Sequence, residues 1–158
     1  MVTKKYTSLA QIKSLISQGQ ISCSDLARYY LNQNKKNEHL NAMLEVFEEE
    51  VLAQAVSVDE KIKAGTAGKL AGMFLAIKDN ICYKGHRVSA SSKILENFES
   101  TYTATALERL INEDVIIIGR SNCDEFAMGA SNENSAFGAV KNAANEAKVP
   151  GGSSGGSA

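Results

Sequence analysis

The run Val115-Ile116-Ile117-Ile118, followed by Gly119, holds four consecutive β-branched residues. Such side chains are stiff at χ1, crowd a helix and pack well on a pleated surface, so the run predicts a strand that closes at Gly119. Upstream, Met73-Phe74-Leu75-Ala76-Ile77 is a second short apolar run, bounded by glycine on one side and Lys78-Asp79-Asn80 on the other. A continuous apolar run, rather than an alternating one, predicts a strand buried on both faces, as in a parallel sheet. Between the two, Thr105 and Glu108 have capping-box spacing and Leu107, Leu110 and Ile111 share one helical face. Strand, long connection with helix, strand is a βαβ unit, right-handed by default, and the expected fold class is α/β.

Outward from this unit, the first sixty-odd residues read as helical. Ser8 and Gln11 form a capping pair ahead of Leu9, Ile12, Leu15 and Ile16, and Gly19 supplies a stop. A second helix starts at Ser22 or Ser24 and carries Leu26, Tyr29 and Tyr30. His39 to Phe47 alternates weakly and admits a short strand. A third helix, about Glu48 to Lys63, presents Leu52, Ala55, Val58 and Ile62 and ends at Gly65. The expected organisation is one domain over 1–158, helical through 1–66, with the α/β core starting at 67. No repeat and no linker stands before Gly151, and the chain is expected to be a piece of a larger domain.

Composition narrows the function classes. Seventeen Lys and Arg against 18 Asp and Glu give a net charge of −1, without a basic run, so direct capture of nucleic acid or an anionic membrane is not expected. Met1 to Tyr6 has two lysines but no apolar stretch behind it, so neither a signal peptide nor a membrane span is expected. Three scattered cysteines, Cys23, Cys82 and Cys123, make no disulfide framework, and a cytoplasmic setting is the expectation.

Two features bear on chemistry. Lys78 ends the apolar strand, where loss of water favours the neutral amine, a form able to accept a proton from a hydroxyl. The plain alternative is a lysine marking where the strand leaves the sheet. The tail Gly151-Gly152-Ser153-Ser154-Gly155-Gly156-Ser157-Ala158 has three readings. Composition favours a flexible Gly/Ser linker. A phosphate cradle would need a following lysine, which is absent. A tight loop would bring two serine hydroxyls to a reacting centre. Cys82 and His86, four apart, suggest a metal or Cys–His pair, but no third ligand is near in sequence and no metal site is expected. His39 reads as a surface residue, and Asp124 and Glu125 as turn-bonding carboxylates rather than an acid–base pair.

From Gly68 to Ala158 the chain resembles the amidase-signature family. The resemblance rests on AGMFLAIKDN (Ala71 to Asn80), VIIIGRSNCDEFAMGASNENSAFG (Val115 to Gly138) and VPGGSSGGSA (Val149 to Ala158), in order and at the family's separations. Within the family, DEFAMGASNENSAFG looks like the A subunits of glutamine-dependent aspartyl/glutamyl-tRNA amidotransferases. Two departures fall on scaffold positions. The family often has proline in the lysine strand, where this chain has Gly72-Met73-Phe74-Leu75, and a proline-bearing segment where it has Phe137-Gly138-Ala139-Val140-Lys141-Asn142-Ala143.

The resemblance implies an amidase-signature fold, a mixed twisted sheet covered by helices, present here as its N-terminal part. It implies that Lys78 is the catalytic lysine and Ser153 the bridging serine, on a cis peptide bond, with Ser154 in support. Met128, Gly129 and Ser131 belong to the loop lining the reacting amide. The family's nucleophilic serine sits in a D-T-G-G-S motif, which lies beyond Ala158. The implied activity is glutamine amide hydrolysis supplying ammonia for misacylated Glu-tRNA or Asp-tRNA, with B and C subunits as partners in a heterotrimer. This chain needs no cofactor on that reading; ATP and magnesium are used by the partner, which also holds the tRNA. A free-standing amidase acting on another small amide, or an inert structural piece, are the other readings.

Overall fold

The computed structural model describes residues 6 and 8–158. Among these, four helices and three strands occur in the order α1 (Leu9–Ser17), α2 (Cys23–Lys36), β1 (Met43–Val46), α3 (Glu48–Ala64), β2 (Phe74–Lys78), α4 (Thr105–Ile111) and β3 (Ile116–Ser121). Ser8 caps α1 by accepting the Gln11 N–H at 3.2 Å. Ser22 and Asp25 close a reciprocal capping box on α2, satisfying two amide groups the helix cannot. Asp59 of α3 reaches back to the same end of α2, taking the N–H groups of Cys23 and Ser24 at 2.7 and 3.0 Å. Those bonds tie the two helices together at the point where α2 begins.

The strands form one mixed sheet in the order β1-β3-β2. β2 and β3 are parallel, as expected for strands joined through a helix, and β1 adds antiparallel to the far side of β3. The strand admitted within 39–47 is thus the sheet's antiparallel member. The central strand is the apolar one: Ile116 and Ile117 are fully buried, and with Val51, Ala55, Val58, Leu107 and Ile77 they form the core. α2 packs on α3 and sets Tyr30 against Phe74 of β2, ring centres 5.1 Å apart.

Four local expectations change. Gly119 does not close β3, which continues to Ser121. A methyl at 119 would sit 2.1 Å from the Glu45 carbonyl oxygen, so the glycine lets β1 approach rather than ending the strand. Thr105 is the first residue of α4, not its cap; Ala104 occupies the cap position without a side-chain bond, its N–H held by the Cys82 carbonyl at 2.9 Å. Val51 replaces Leu52 as the most deeply buried residue near the start of α3, with Leu52 and Ile62 only flanking the core. The expectation for β2 is burial on both faces, yet only Ile77 within it is buried, because among the described residues β2 pairs on one side alone.

Candidate active site

Lys78 is the last residue of β2 and lies opposite Ser121 of β3. From the strand end its Nζ reaches Ser153 Oγ at 2.6 Å and Ser154 Oγ at 2.9 Å. The side chains come from positions 75 and 76 residues apart, and the fold brings them together by seating the C-terminal loop against the sheet. The Gly152–Ser153 peptide is cis.

The tail is therefore an ordered loop and not the flexible linker that composition favours. Residues Gly155–Ser157 make a 3₁₀ turn. Gly155 N–H donates to Asn132 Oδ1 at 2.8 Å, Gly156 N–H to the Asn122 carbonyl at 3.1 Å, and the Ser157 and Ser121 hydroxyls pair at 3.2 Å. Backbone replaces side chain wherever the contacts are closest. A methyl on Gly156 would stand 2.3 Å from the Ala42 carbonyl oxygen.

The segment after β3 forms the floor beneath this loop. Asn122, Cys123 and Asp124 are all fully buried. Asp124 accepts the N–H groups of Asn132 at 3.0 Å and Asn134 at 3.3 Å, and its own N–H donates to the Ser153 carbonyl at 3.0 Å. Glu125 accepts the Ser92 hydroxyl at 2.6 Å. Of the loop expected to line the amide, Gly129 packs against the Asp124 carboxylate and the Ser131 amide nitrogen lies beside Gly152. The Met128 side chain stands out in solvent, 79% exposed. Segment 137–139 is held by two asparagines: Asn41 Nδ2 donates toward the carbonyls of Phe137, Gly138 and Ala139, and Asn122 Nδ2 to that of Gly138 at 3.1 Å.

Next to Lys78, Asp79 is buried and accepts from Ser89 N–H and Oγ, Ser91 N–H, and Arg120 Nη1 at 2.6 Å. Arg120 also donates to Glu45 Oε2 at 2.8 Å. Burial alone would pull the guanidinium down, but its bonds to Glu45 and Asp79 outweigh that and hold it above the ordinary arginine range. Ser91 Oγ in turn accepts the Cys123 N–H at 3.1 Å. Burial pushes the Cys123 thiol up despite the nearby hydroxyl and ammonium.

Sequence reading missed Asp79, Arg120 and Asn132. The Asp79 carboxylate was visible only as part of the I-K-D-N run, and its Arg120 partner lies 41 residues away. Asn132 had no signal. Its Oδ1 is engaged, while its Nδ2 is the buried side-chain polar atom left without a partner among the described residues.

The remaining candidates make contacts of their own. His86 stacks on Tyr83 with ring centres 4.0 Å apart and faces Glu50 at 3.0 Å, while Cys82 is partly buried and its carbonyl accepts the Ala104 N–H at 2.9 Å. Among the described residues no three His, Cys, Asp or Glu side chains gather as a metal site. His39, half exposed, pairs with Glu146 at 3.1 Å. No helix among the described residues is long and apolar enough to cross a membrane.

A lysine at the end of a strand thus meets two serines on a glycine-bracketed loop over an α/β sheet. The chain belongs to the Amidase family, whose model matches residues 25–158. It is 49% identical over 154 residues to the A subunit of glutamyl-tRNA(Gln) amidotransferase from Chlorobium phaeobacteroides, covering 97% of this chain and 32% of that protein. Among solved structures it is similar to the native peptide amidase from Stenotrophomonas maltophilia, with a TM-score of 0.86 and 27% identity, over 96% of this chain and 33% of that one. It is also similar to the A subunit of glutamyl-tRNA(Gln) amidotransferase from Thermotoga maritima, with a TM-score of 0.75 and 33% identity, over 96% and 30%. The chain thus spans about a third of the length of the curated relatives it matches.

Proposed function

We propose that the whole protein hydrolyses the side-chain amide of glutamine and supplies the ammonia to a partner that converts misacylated Glu-tRNA(Gln) or Asp-tRNA(Asn). The observation that carries the reading is the 2.6 Å contact between Lys78 Nζ and Ser153 Oγ, in a chain nearly half identical to the A subunit of an amidotransferase. Lys78 is the proton acceptor, a role its amine performs in the unprotonated form. It takes the Ser153 hydroxyl proton while Ser153 takes the proton of a nucleophilic serine. The new C–O bond forms at the amide carbon, the C–N bond breaks, and the proton returns through Ser153 to the departing ammonia. Water then cleaves the ester and releases glutamate. Dividing the acyl transfer in two lowers the barrier of each half.

Neither a D-T-G-G-S motif nor its oxyanion-hole amides fall within residues 1–158, so these residues alone are expected to show no turnover. On this reading B and C subunits complete the assembly, and ATP, magnesium and the tRNA belong to the partner. The chain's net charge of −1 suits that division, since capture of a polyanion falls to another protein of the assembly. A second reading, a free-standing amidase for another small amide, is favoured by the TM-score of 0.86 to the peptide amidase against 0.75 to the amidotransferase. The test is glutaminase activity of the whole protein with and without a B-type partner, ATP and tRNA. Stimulation by all three supports the amidotransferase; equal, unstimulated hydrolysis of unrelated amides supports the free-standing enzyme.

A further inference from the structure

Asp124 meets the serine loop and the 128–134 loop without touching Lys78 or either serine hydroxyl. Both carboxylate oxygens are engaged: Oδ2 by the Asn132 N–H at 3.0 Å and Oδ1 by the Asn134 N–H at 3.3 Å. Two glycine backbones press on the same group. A methyl on Gly129 would lie 2.3 Å from its Cγ, and one on Gly152 would lie 2.3 Å from its Oδ2. Its own N–H fixes the Ser153 carbonyl at 3.0 Å. The carboxylate is fully buried, and among the described residues it makes no ion pair within 4.0 Å. A buried carboxyl group persists where its oxygens are paired, and here both are paired to the backbone of the 128–134 loop.

A second path ties this group to the other end of the Lys78–Ser153 contact. Asp79, the neighbour of Lys78, holds the Ser91 N–H at 2.8 Å. Ser91 Oγ holds the Cys123 N–H, and Cys123 precedes Asp124. The lysine and the serine are therefore fixed to one buried hydrogen-bonded frame besides their direct contact.

We infer that Asp124 is a positioning residue for amide hydrolysis, holding the Gly152–Ser153 backbone at Lys78 and the 128–134 loop across from it. The inference rests on the proposed function, because it assigns Asp124 a role in placing Ser153. A misplacement of about 1 Å at a reacting group costs on the order of 100-fold in rate.

The test uses the whole protein and measures glutamine hydrolysis, thermal stability and backbone hydrogen exchange for Asp124→Asn, Gly129→Ala and Lys78→Ala. Asp124→Asn keeps the shape but offers only one acceptor oxygen. Gly129→Ala keeps the charge and displaces the carboxylate. Both are expected to lower kcat roughly 10- to 100-fold with KM within about twofold, and to speed exchange at the amides of Asn132 and Asn134. If either variant fails to fold, the other carries the test. Unchanged kcat in a folded variant whose exchange has risen overturns the inference, as does a rise in KM at constant kcat. Lys78→Ala separates the two ideas. Loss of activity there with full activity in Asp124→Asn sinks the positioning role alone, whereas retained activity in Lys78→Ala sinks the proposed chemistry.

Discussion

Arg120 donates to Asp79 at 2.6 Å and to Glu45 at 2.8 Å, so a single guanidinium on the central strand binds a carboxylate on each side of it. Glu45 belongs to β1 and Asp79 follows directly on β2. The sheet is thereby locked at the end where Lys78 emerges, and the strand that carries the lysine is held to the frame that carries the serine loop.

Arg120→Leu leaves Asp79 buried without its cation. Removing one partner of a buried pair costs about 3–5 kcal/mol, more than the pair contributes when intact. The expected outcome is a fall in the urea midpoint equivalent to that loss. Arg120→Lys recovers only part of it, because one ammonium does not span two carboxylates with the guanidinium's planar geometry. Equal midpoints for parent and Arg120→Leu would show that the guanidinium does not lock the sheet.

Asp59 gives the fold an acid-sensitive joint. Burial raises its carboxyl, but bonds from the Ser24 hydroxyl and the Cys23 and Ser24 amides outweigh burial and set it below the usual aspartate range. A folded-state value below the unfolded one means stability that is present above the unfolded value and lost as pH falls through the folded one. Asp59→Ala is expected to cost about 1–2 kcal/mol near neutral pH, as for loss of a helix cap. The gap between variant and parent should close as denaturation is repeated at pH values below the carboxylate range. A gap that stays constant into acid contradicts the assignment.

The three thiols should separate by burial. Cys23 is fully buried, and burial, followed by the neighbouring Asp59, pushes its thiol up to about 12. Cys123 is also fully buried and raised, while Cys82 is partly exposed. A thiol-reactive dye at neutral pH should label Cys82 first and reach the other two only on unfolding. Rapid labelling of Cys123 in the native protein would show the floor of the site to be open.

How much of this was legible in the sequence follows from how local each signal is. β3 and β2 were readable from their apolar runs, and α3 from its helical spacing and from Gly65, since these depend on neighbours in the chain. The behaviour of Gly119 was not, because its cause is the Glu45 carbonyl arriving from a strand far earlier in the chain. Lys78, Ser153 and Ser154 came from motif resemblance, and the fold sets both serine hydroxyls within hydrogen-bonding distance of the lysine amine. Arg120, by contrast, carries no local signal of its own. Its pairing with Asp79 depends on the parallel register of β2 and β3, which no single segment encodes.

In the proposed mechanism the Lys78 amine accepts the Ser153 proton. The direct measurement is glutamine hydrolysis by the whole protein carrying Lys78→Arg, which keeps a cationic reach at the strand end but cannot release its proton. A loss of several orders of magnitude in kcat is expected, matched by Lys78→Ala and Ser153→Ala, in proteins as stable as the parent. Activity in Lys78→Arg equal to that of the parent would contradict the mechanism.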